Sequence, residues 1–198
     1  DKILNEPKTK YDTVMIGGPI PARVNVLRKL KKEGFSIAVY GPKSWQHFSD
    51  FAEDYKGFVN SEEFDIRLSE GKIILSMLED HISGKMHMNT KIWECARAGT
   101  FTIASHYEPL FSNYGFKEGT DIVTYHAEAD LITKFKYYHK KNEEREIIRK
   151  NFIRKVNSEL DYKILYLQFF VQLKTELKKS HVSNYMSAHK TMNSENLN

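Results

Sequence analysis

Two short stretches carry residue types suited to binding anions and diols. The first is Gly17-Gly18-Pro19 followed by Arg23. Glycines after a strand let main chain approach a phosphate. A helix starting there presents free amides and its positive dipole end, and an arginine in the first turn adds a forked grip. A glycine turn needed only to reverse the chain would look the same. The dinucleotide fingerprint is absent: the third glycine is missing, and Gly41-Pro42 stands where an acidic residue would close the second strand. The second stretch runs from Asn89-Thr90-Lys91 to Glu94. With Asn89 or Thr90 as the cap, the first helical turn offers amides to an anion and Lys91 adds a positive charge. Glu94 lies one turn further in, where its two acceptor oxygens would match the two hydroxyl donors of a ribose. A glutamate on a helix is otherwise a solvated charge.

Other reactive residue types form no comparable pattern. His81, His87, His106 and His126 lack the spacing of metal ligands, so no metal site is expected. Cys95 faces Ala96 and Gly99 and reads as a small core residue rather than a nucleophile. Ser105-His106 is no triad, because no nucleophile-elbow glycines surround it. A single cysteine excludes an internal disulfide and fits a reducing compartment, with the cytoplasm as the default.

The elements that must position these residues alternate between strand and helix. Thr13–Ile16, Ile37–Tyr40, Gly57–Val59, Lys72–Ser76, Phe101–Ala104 and Asp121–Thr124 read as six short apolar strands. Between them the spacing predicts helices over Ala22–Lys32, Glu62–Glu70 and Asn89–Ala98, with Gly34 and Gly99 as stops. Lys43–Tyr55 reads as loop with a short helix, and the chain is helical from Ala127 almost to Lys179. The expected fold class is therefore α/β: a Rossmann-like, doubly wound parallel sheet of about six strands with long C-terminal helices. Residues 1–10 form a lead-in, 11–179 the domain, and the polar stretch 180–198 a flexible tail. Ligands of such sheets bind beyond the carboxyl ends of the strands where strand order reverses. That places the loops after Gly17, Gly41, Phe58, Ser76 and Ser105 at the expected site.

Bulk properties narrow the function classes. At 198 residues, 40% hydrophobic and 28% charged, the chain suffices for one α/β domain with its own core. No apolar run is long enough to span a bilayer; Ile164–Leu173 is broken by Gln168 and Gln172 and reads as a packed helix. The net charge of +4 comes largely from lysine-rich helical segments. A nucleic-acid binder would show a denser basic stripe interleaved with aromatics, so nucleic acid is not an expected partner. Solvated helix faces with mild affinity for anions leave a membrane surface as a minor expectation. The chain opens on Asp1 with no signal-peptide pattern, as a processed product or a fragment would.

The order of motifs supplies a further reading. Gly57-Phe58-Val59-Asn60-Ser61-Glu62-Glu63-Phe64, then Lys72-Ile73-Ile74-Leu75-Ser76, then Lys91-Ile92-Trp93-Glu94-Cys95-Ala96-Arg97-Ala98-Gly99, then Thr102-Ile103-Ala104-Ser105 resembles the C-terminal donor-binding domain of GT-B glycosyltransferases. The resemblance is nearest to the group-1, spore-maturation-protein-like branch. Glu118-Gly119-Thr120-Asp121-Ile122-Val123-Thr124-Tyr125, Asp130-Leu131-Ile132 and Asn142-Glu143-Glu144-Arg145 are similar to the family's later motifs. The likeness runs from about Thr13 to Arg154.

The resemblance implies transfer of a sugar from a nucleotide-diphosphate sugar, with no bound cofactor, to an unidentified acceptor. It implies that Phe58, Val59 and Asn60 present main chain to the base and that Glu94 binds the ribose. Gly17, Gly18, Arg23, Lys43, Asn89, Thr90 and Lys91 would surround the diphosphate. Relatives carry an acidic residue eight positions before the ribose-binding glutamate, where this chain has Met86; Glu79, Asp80 and His81 are the candidates to face the sugar. It further implies a partner, the N-terminal acceptor domain, in the full-length chain or on a second one. The alternative is a non-catalytic α/β interaction module derived from such an enzyme. A receiver-like domain is disfavoured, since its first strand would end in acidic residues rather than Gly-Gly-Pro.

Overall fold

The computed structural model describes residues 9–78, 85–86, 90–160, 163–167 and 169–179. The chain divides into two compact units, residues 1–157 and 158–198. In the first, strand β1 (Thr13–Ile16) leads into helix α1 (Pro21–Lys32) and strand β2 (Ile37–Tyr40). Two 3-10 turns, Lys43–His47 and Ser49–Phe51, precede helix α2 (Phe64–Ser69) and strand β3 (Ile74–Ser76). Helix α3 (Lys91–Arg97), strand β4 (Thr102–Ser105), helix α4 (Pro109–Ser112), strand β5 (Val123–Tyr125) and helix α5 (Glu128–Lys140) follow. Helix α6 spans Asn142–Glu159. In the second unit, residues 163–167 and 169–179 are helical. No helix among the described residues is long and apolar enough to cross a membrane.

The strands pair in parallel, as their nearly continuous burial requires: a parallel strand is covered by helices on both faces. β1 pairs with β2, Thr13 opposite Ile37 and Ile16 opposite Tyr40. β3, β4 and β5 form a second ladder in that order, with Ile74 opposite Thr102 and Ile103 opposite Val123. Among the described residues the two ladders are joined at their amino ends. Tyr11 bridges Gly71, and the amides of Lys72 and Ile73 donate to the carbonyls of Tyr11 (2.9 Å) and Asp12 (3.0 Å). Beyond those bonds β1 and β3 share no ladder among the described residues, so the sheet is split toward its carboxyl edge.

Among the described residues there are five strands where the spacing predicts six. The stretch expected as a strand at Gly57–Val59 forms none; a parallel bridge between Val39 and Tyr55 lies just before it. Val39 and Gly41 donate to the carbonyls of Asp54 and Gly57, both at 2.9 Å, so this segment still lies outside β2. Gly57 then takes a φ of +95°, which turns the chain out of the extended conformation before a ladder can form. Helix-rich order thus resumes with the chain crossing from outside β2 to β3, on the far side of β1. That crossing is the reversal of strand order characteristic of a doubly wound sheet.

Residues from both faces feed the core. Leu27, Leu30, Ile103, Leu131 and Phe135 are fully buried, joining α1 and α5 to one face. Ile92, Cys95 and Ala96 of α3 are equally buried. Trp45 and Phe51, at 0% exposure, cover the β2 edge from the two 3-10 turns, each such burial contributing about 2–3 kcal/mol.

Candidate functional site

A cleft of about 230 Å³ opens where the carboxyl ends of β1 and β3 part. Met15, Ile16, Leu75 and Met77 form its strand walls, and Arg23, Phe64, Thr90, Lys91 and Glu94 its helical ones. The sequence places Arg23 and Glu94 about seventy residues apart; the crossover brings α1 and α3 to the same opening.

Arg23 stands in the first turn of α1. Pro21 starts that helix, the first intrahelical bond runs from the Val24 amide to the Ile20 carbonyl (3.1 Å), and no side chain caps the end. The amides of Ala22 and Arg23 have no partner among the described residues, as the first turn of any uncapped helix leaves them. The Arg23 guanidinium donates to the Gly18 carbonyl at 3.1 Å and pairs with no carboxylate among the described residues. Burial pulls its pKa down from the ordinary arginine value. A guanidinium kept half out of water, with only a carbonyl to answer it, is poised to take an anion.

The two glycines play different parts. The Gly17 amide donates to the Tyr40 carbonyl (2.9 Å), and the Gly17 carbonyl accepts from the Trp45 indole (2.7 Å). Gly17 therefore shapes the loop and offers no amide to a ligand. The Gly18 amide has no partner among the described residues. Gly41 completes the arrangement: its φ is +154°, and a methyl group there would collide with the Gly17 carbonyl. Trp45, which fastens this turn from the next loop, is a positioning residue that sequence reasoning passed over. Its only signal was a tryptophan three residues after Gly41-Pro42.

Glu94 and Lys91 share one face of α3. Lys91 Nζ lies 2.9 Å from Glu94 Oε2 and 4.6 Å from the centre of the Phe64 ring. Thr90 stands at the N-cap position, yet its hydroxyl donates to Glu94 Oε1 (2.9 Å) instead of capping an amide. Both carboxylate oxygens are thus oriented toward the cleft by neighbours that a part-exposed pair holds only weakly, worth under about 1 kcal/mol. Behind them, Arg97 grips Asp65 of α2 through two bonds, 2.7 and 2.9 Å, fixing α3 against the wall that carries Phe64.

The remaining expected residues lie apart from this cleft or outside the described residues. Lys43 is exposed on the first 3-10 turn. Phe58 is 79% exposed and Val59 buried, and Asn60 Oδ1 accepts the Glu63 amide at 2.9 Å; none of the three lines the cleft. Glu79, Asp80, His81 and Asn89 lie outside the described residues. Burial pushes the Cys95 thiol up to about 11, which keeps it protonated and inert at neutral pH. Among the described residues no group of three or more His, Cys, Asp or Glu side chains could hold a metal ion.

A family model described as glycosyl transferase-like matches residues 23–169. Three solved structures share the fold. An α1,3-fucosyltransferase solved with GDP is 14% identical over 75% of this chain, with a TM-score of 0.54. TarM of S. aureus is 15% identical over 85%, with a TM-score of 0.58. The pneumococcal O-GlcNAc transferase GtfA, solved with UDP and GlcNAc, is 12% identical over 88%, with a TM-score of 0.52. The chain spans 37–40% of the length of these structures. No curated protein sequence matches it.

Proposed function

The chain belongs to the glycosyl transferase-like family, and on that premise we propose that it is the donor-binding part of an enzyme transferring a sugar from a nucleotide-diphosphate sugar. The observation that carries the reading is the convergence of Arg23, Lys91 and Glu94 on one cleft at the reversal of strand order. The cleft is smaller than a whole-ligand pocket, about 300–1,000 Å³, and suits the ribose and diphosphate alone. Arg23 and the leading amides of α1 take the diphosphate, and Lys91 takes a further phosphate oxygen. Glu94 exchanges Lys91 and Thr90 for the two ribose hydroxyls. The base lies outward of β2, against the main chain of Phe58 to Asn60.

The chemistry follows from the charges. When the bond between the sugar and the diphosphate breaks, negative charge grows on the departing phosphate. A fixed guanidinium, an ammonium and a helix end aimed there stabilise it more than they stabilise the ground state. The candidates to act on the sugar are Glu79, Asp80 and His81, which lie outside the described residues. The acceptor binds to a part of the enzyme beyond this domain.

GDP and UDP, present in the fucosyltransferase and GtfA structures, are the natural probes. Calorimetry should detect binding of one of them by the wild-type chain. Glu94→Ala should weaken it at least about tenfold, since each hydrogen bond to a charged group is worth about 1.5–3 kcal/mol. Failure of both nucleotides to bind, or equal binding by the variant, removes the proposal.

A further inference from the structure

We propose that His106 is a sugar-binding residue, an imidazole held in one tautomer at the carboxyl end of β4 so that its Nε2 accepts a hydroxyl of the donor's sugar. This rests on the donor-binding reading above. The tautomer follows from a chain of three side chains. His106 Nδ1 lies 3.3 Å from Thr124 Oγ1, and the Thr124 hydroxyl donates to Glu118 Oε2 at 2.7 Å. The Glu118 carboxylate also accepts the Thr124 amide, at 3.0 and 3.1 Å. A hydroxyl has one proton, and here the carboxylate receives it. Toward His106 the Thr124 oxygen can only accept, so Nδ1 carries the hydrogen and Nε2 of the neutral ring is left as the acceptor.

Nε2 has no partner among the described residues, while the ring itself is fixed. It stacks on Phe111 (centroids 5.2 Å, planes 25° apart) and on His126 (4.1 Å, 29°). The His106 amide extends the ladder by donating to the Tyr125 carbonyl at 2.7 Å. A ring oriented by a buried threonine and a carboxylate, with no partner for its far nitrogen among the described residues, is more organised than packing alone requires.

Its place in the sheet supplies the ligand class. Ser76 pairs with Ala104, so Met77 and Leu78 run beside Ser105 and His106, and the Leu78 amide donates to Ser105 Oγ at 3.1 Å. Met77 lines the cleft and stands opposite Ser105 in the register, so the main chain of His106, one residue on, lies one strand spacing, about 5 Å, beyond the cleft's β3 wall. A nucleotide sugar is linear in its chemistry: base, ribose, diphosphate, sugar. With the base outward of β2 and the diphosphate between β1 and β3, the next group along the sheet edge falls at β4. A neutral acceptor suits a hydroxyl there, because a second carboxylate would repel the diphosphate beside it.

The test uses the full chain, with UDP, GDP, UDP-N-acetylglucosamine and GDP-fucose as calorimetric probes. The wild type should bind one nucleotide sugar more tightly than its bare nucleotide. His106→Phe keeps the stacked ring but removes the nitrogens; it should lose that increment, about three- to tenfold, and keep its affinity for UDP and GDP. Thr124→Val provides an independent readout. Long-range ¹H–¹⁵N spectra should show the Nδ1–H tautomer of His106 in the wild type and a tautomer mixture in this variant. An Nε2–H tautomer in the wild type, no sugar increment in the wild type, or an increment intact in His106→Phe overturns the inference. Those results leave the donor reading standing, whereas absence of any nucleotide binding ends both.

Discussion

Arg23 sits in an environment that an arginine does not prefer. It is half-buried, its guanidinium meets only a carbonyl among the described residues, and the burial disfavours its charge. Such a group contributes little to stability and much to anion affinity. Arg23→Met should therefore leave the unfolding free energy unchanged within about 1 kcal/mol, measured by urea titration. The same variant should shrink the difference in affinity between UDP and UMP by about tenfold, because the second phosphate loses its fork. Gly41 makes the opposite case. Gly41→Ala forces a methyl against the Gly17 carbonyl in a backbone region that side chains avoid. It should cost about 2 kcal/mol or more and dislodge the turn that carries Gly18. An alanine variant as stable as wild type would show that the turn has room to relax. Of these residues Arg23 could be singled out from its spacing after Gly17-Gly18. The Trp45–Gly17 bond and the Gly41 contact join separate loops, and no local pattern encodes them.

At the scale of elements, α6 is tied to the sheet by Arg149, which is 2% exposed. Its guanidinium donates twice to Glu146 (both 2.6 Å) and once to the Gly99 carbonyl (2.8 Å), the point where α3 gives way to β4. The Arg149 hydrogen bonds hold the Glu146 carboxyl below its ordinary value of 4.5, against the opposing effect of burial. A carboxylate with a lowered folded-state pKa contributes stability that is full above its unfolded value and fades as pH falls through the folded one. Arg149→Met should cost about 2–3 kcal/mol at neutral pH, leaving the buried Gly99 carbonyl unanswered and Glu146 with the weaker Lys150 pair at 3.3 Å. It should also make the decline in stability below about pH 4.5 shallower, since Glu146 would keep Lys150 as a partner but lose the larger effect of Arg149. Denaturant melts of both proteins between acid and neutral pH would reveal an unchanged slope if the pair were unimportant. α1, β1 and β2 were readable from spacing almost to the residue, because alternating apolar runs and glycine or proline stops encode them locally. Gly57–Val59 was not: the bridge to β2 falls at Tyr55, and the positive φ of Gly57 then turns the chain away.

For the whole molecule, binding and stability are linked through the cleft between the β1 and β3 ends. A nucleotide that binds only the folded unit of residues 1–157 should raise its stability by about 2.7 kcal/mol at a hundred times its dissociation constant. Thermal unfolding with UDP or GDP should show that rise in the wild type and none in Glu94→Ala; an equal rise in both would place the nucleotide elsewhere. By itself the sequence determined the alternation of strands and helices, the parallel class, and the short-range groupings of Lys91 with Glu94 and of Gly18 with Arg23. Each of these follows from side-chain periodicity or from neighbours within a turn. Only the tertiary structure decided that β1 and β3 join at their amino ends and part at their carboxyl ends, and so where a cleft exists. It also decided that Gly17 spends both backbone groups on its neighbours, and that Glu118, Thr124 and His106 align across two strands. Those outcomes depend on contacts between distant segments, whose energies no local pattern reports.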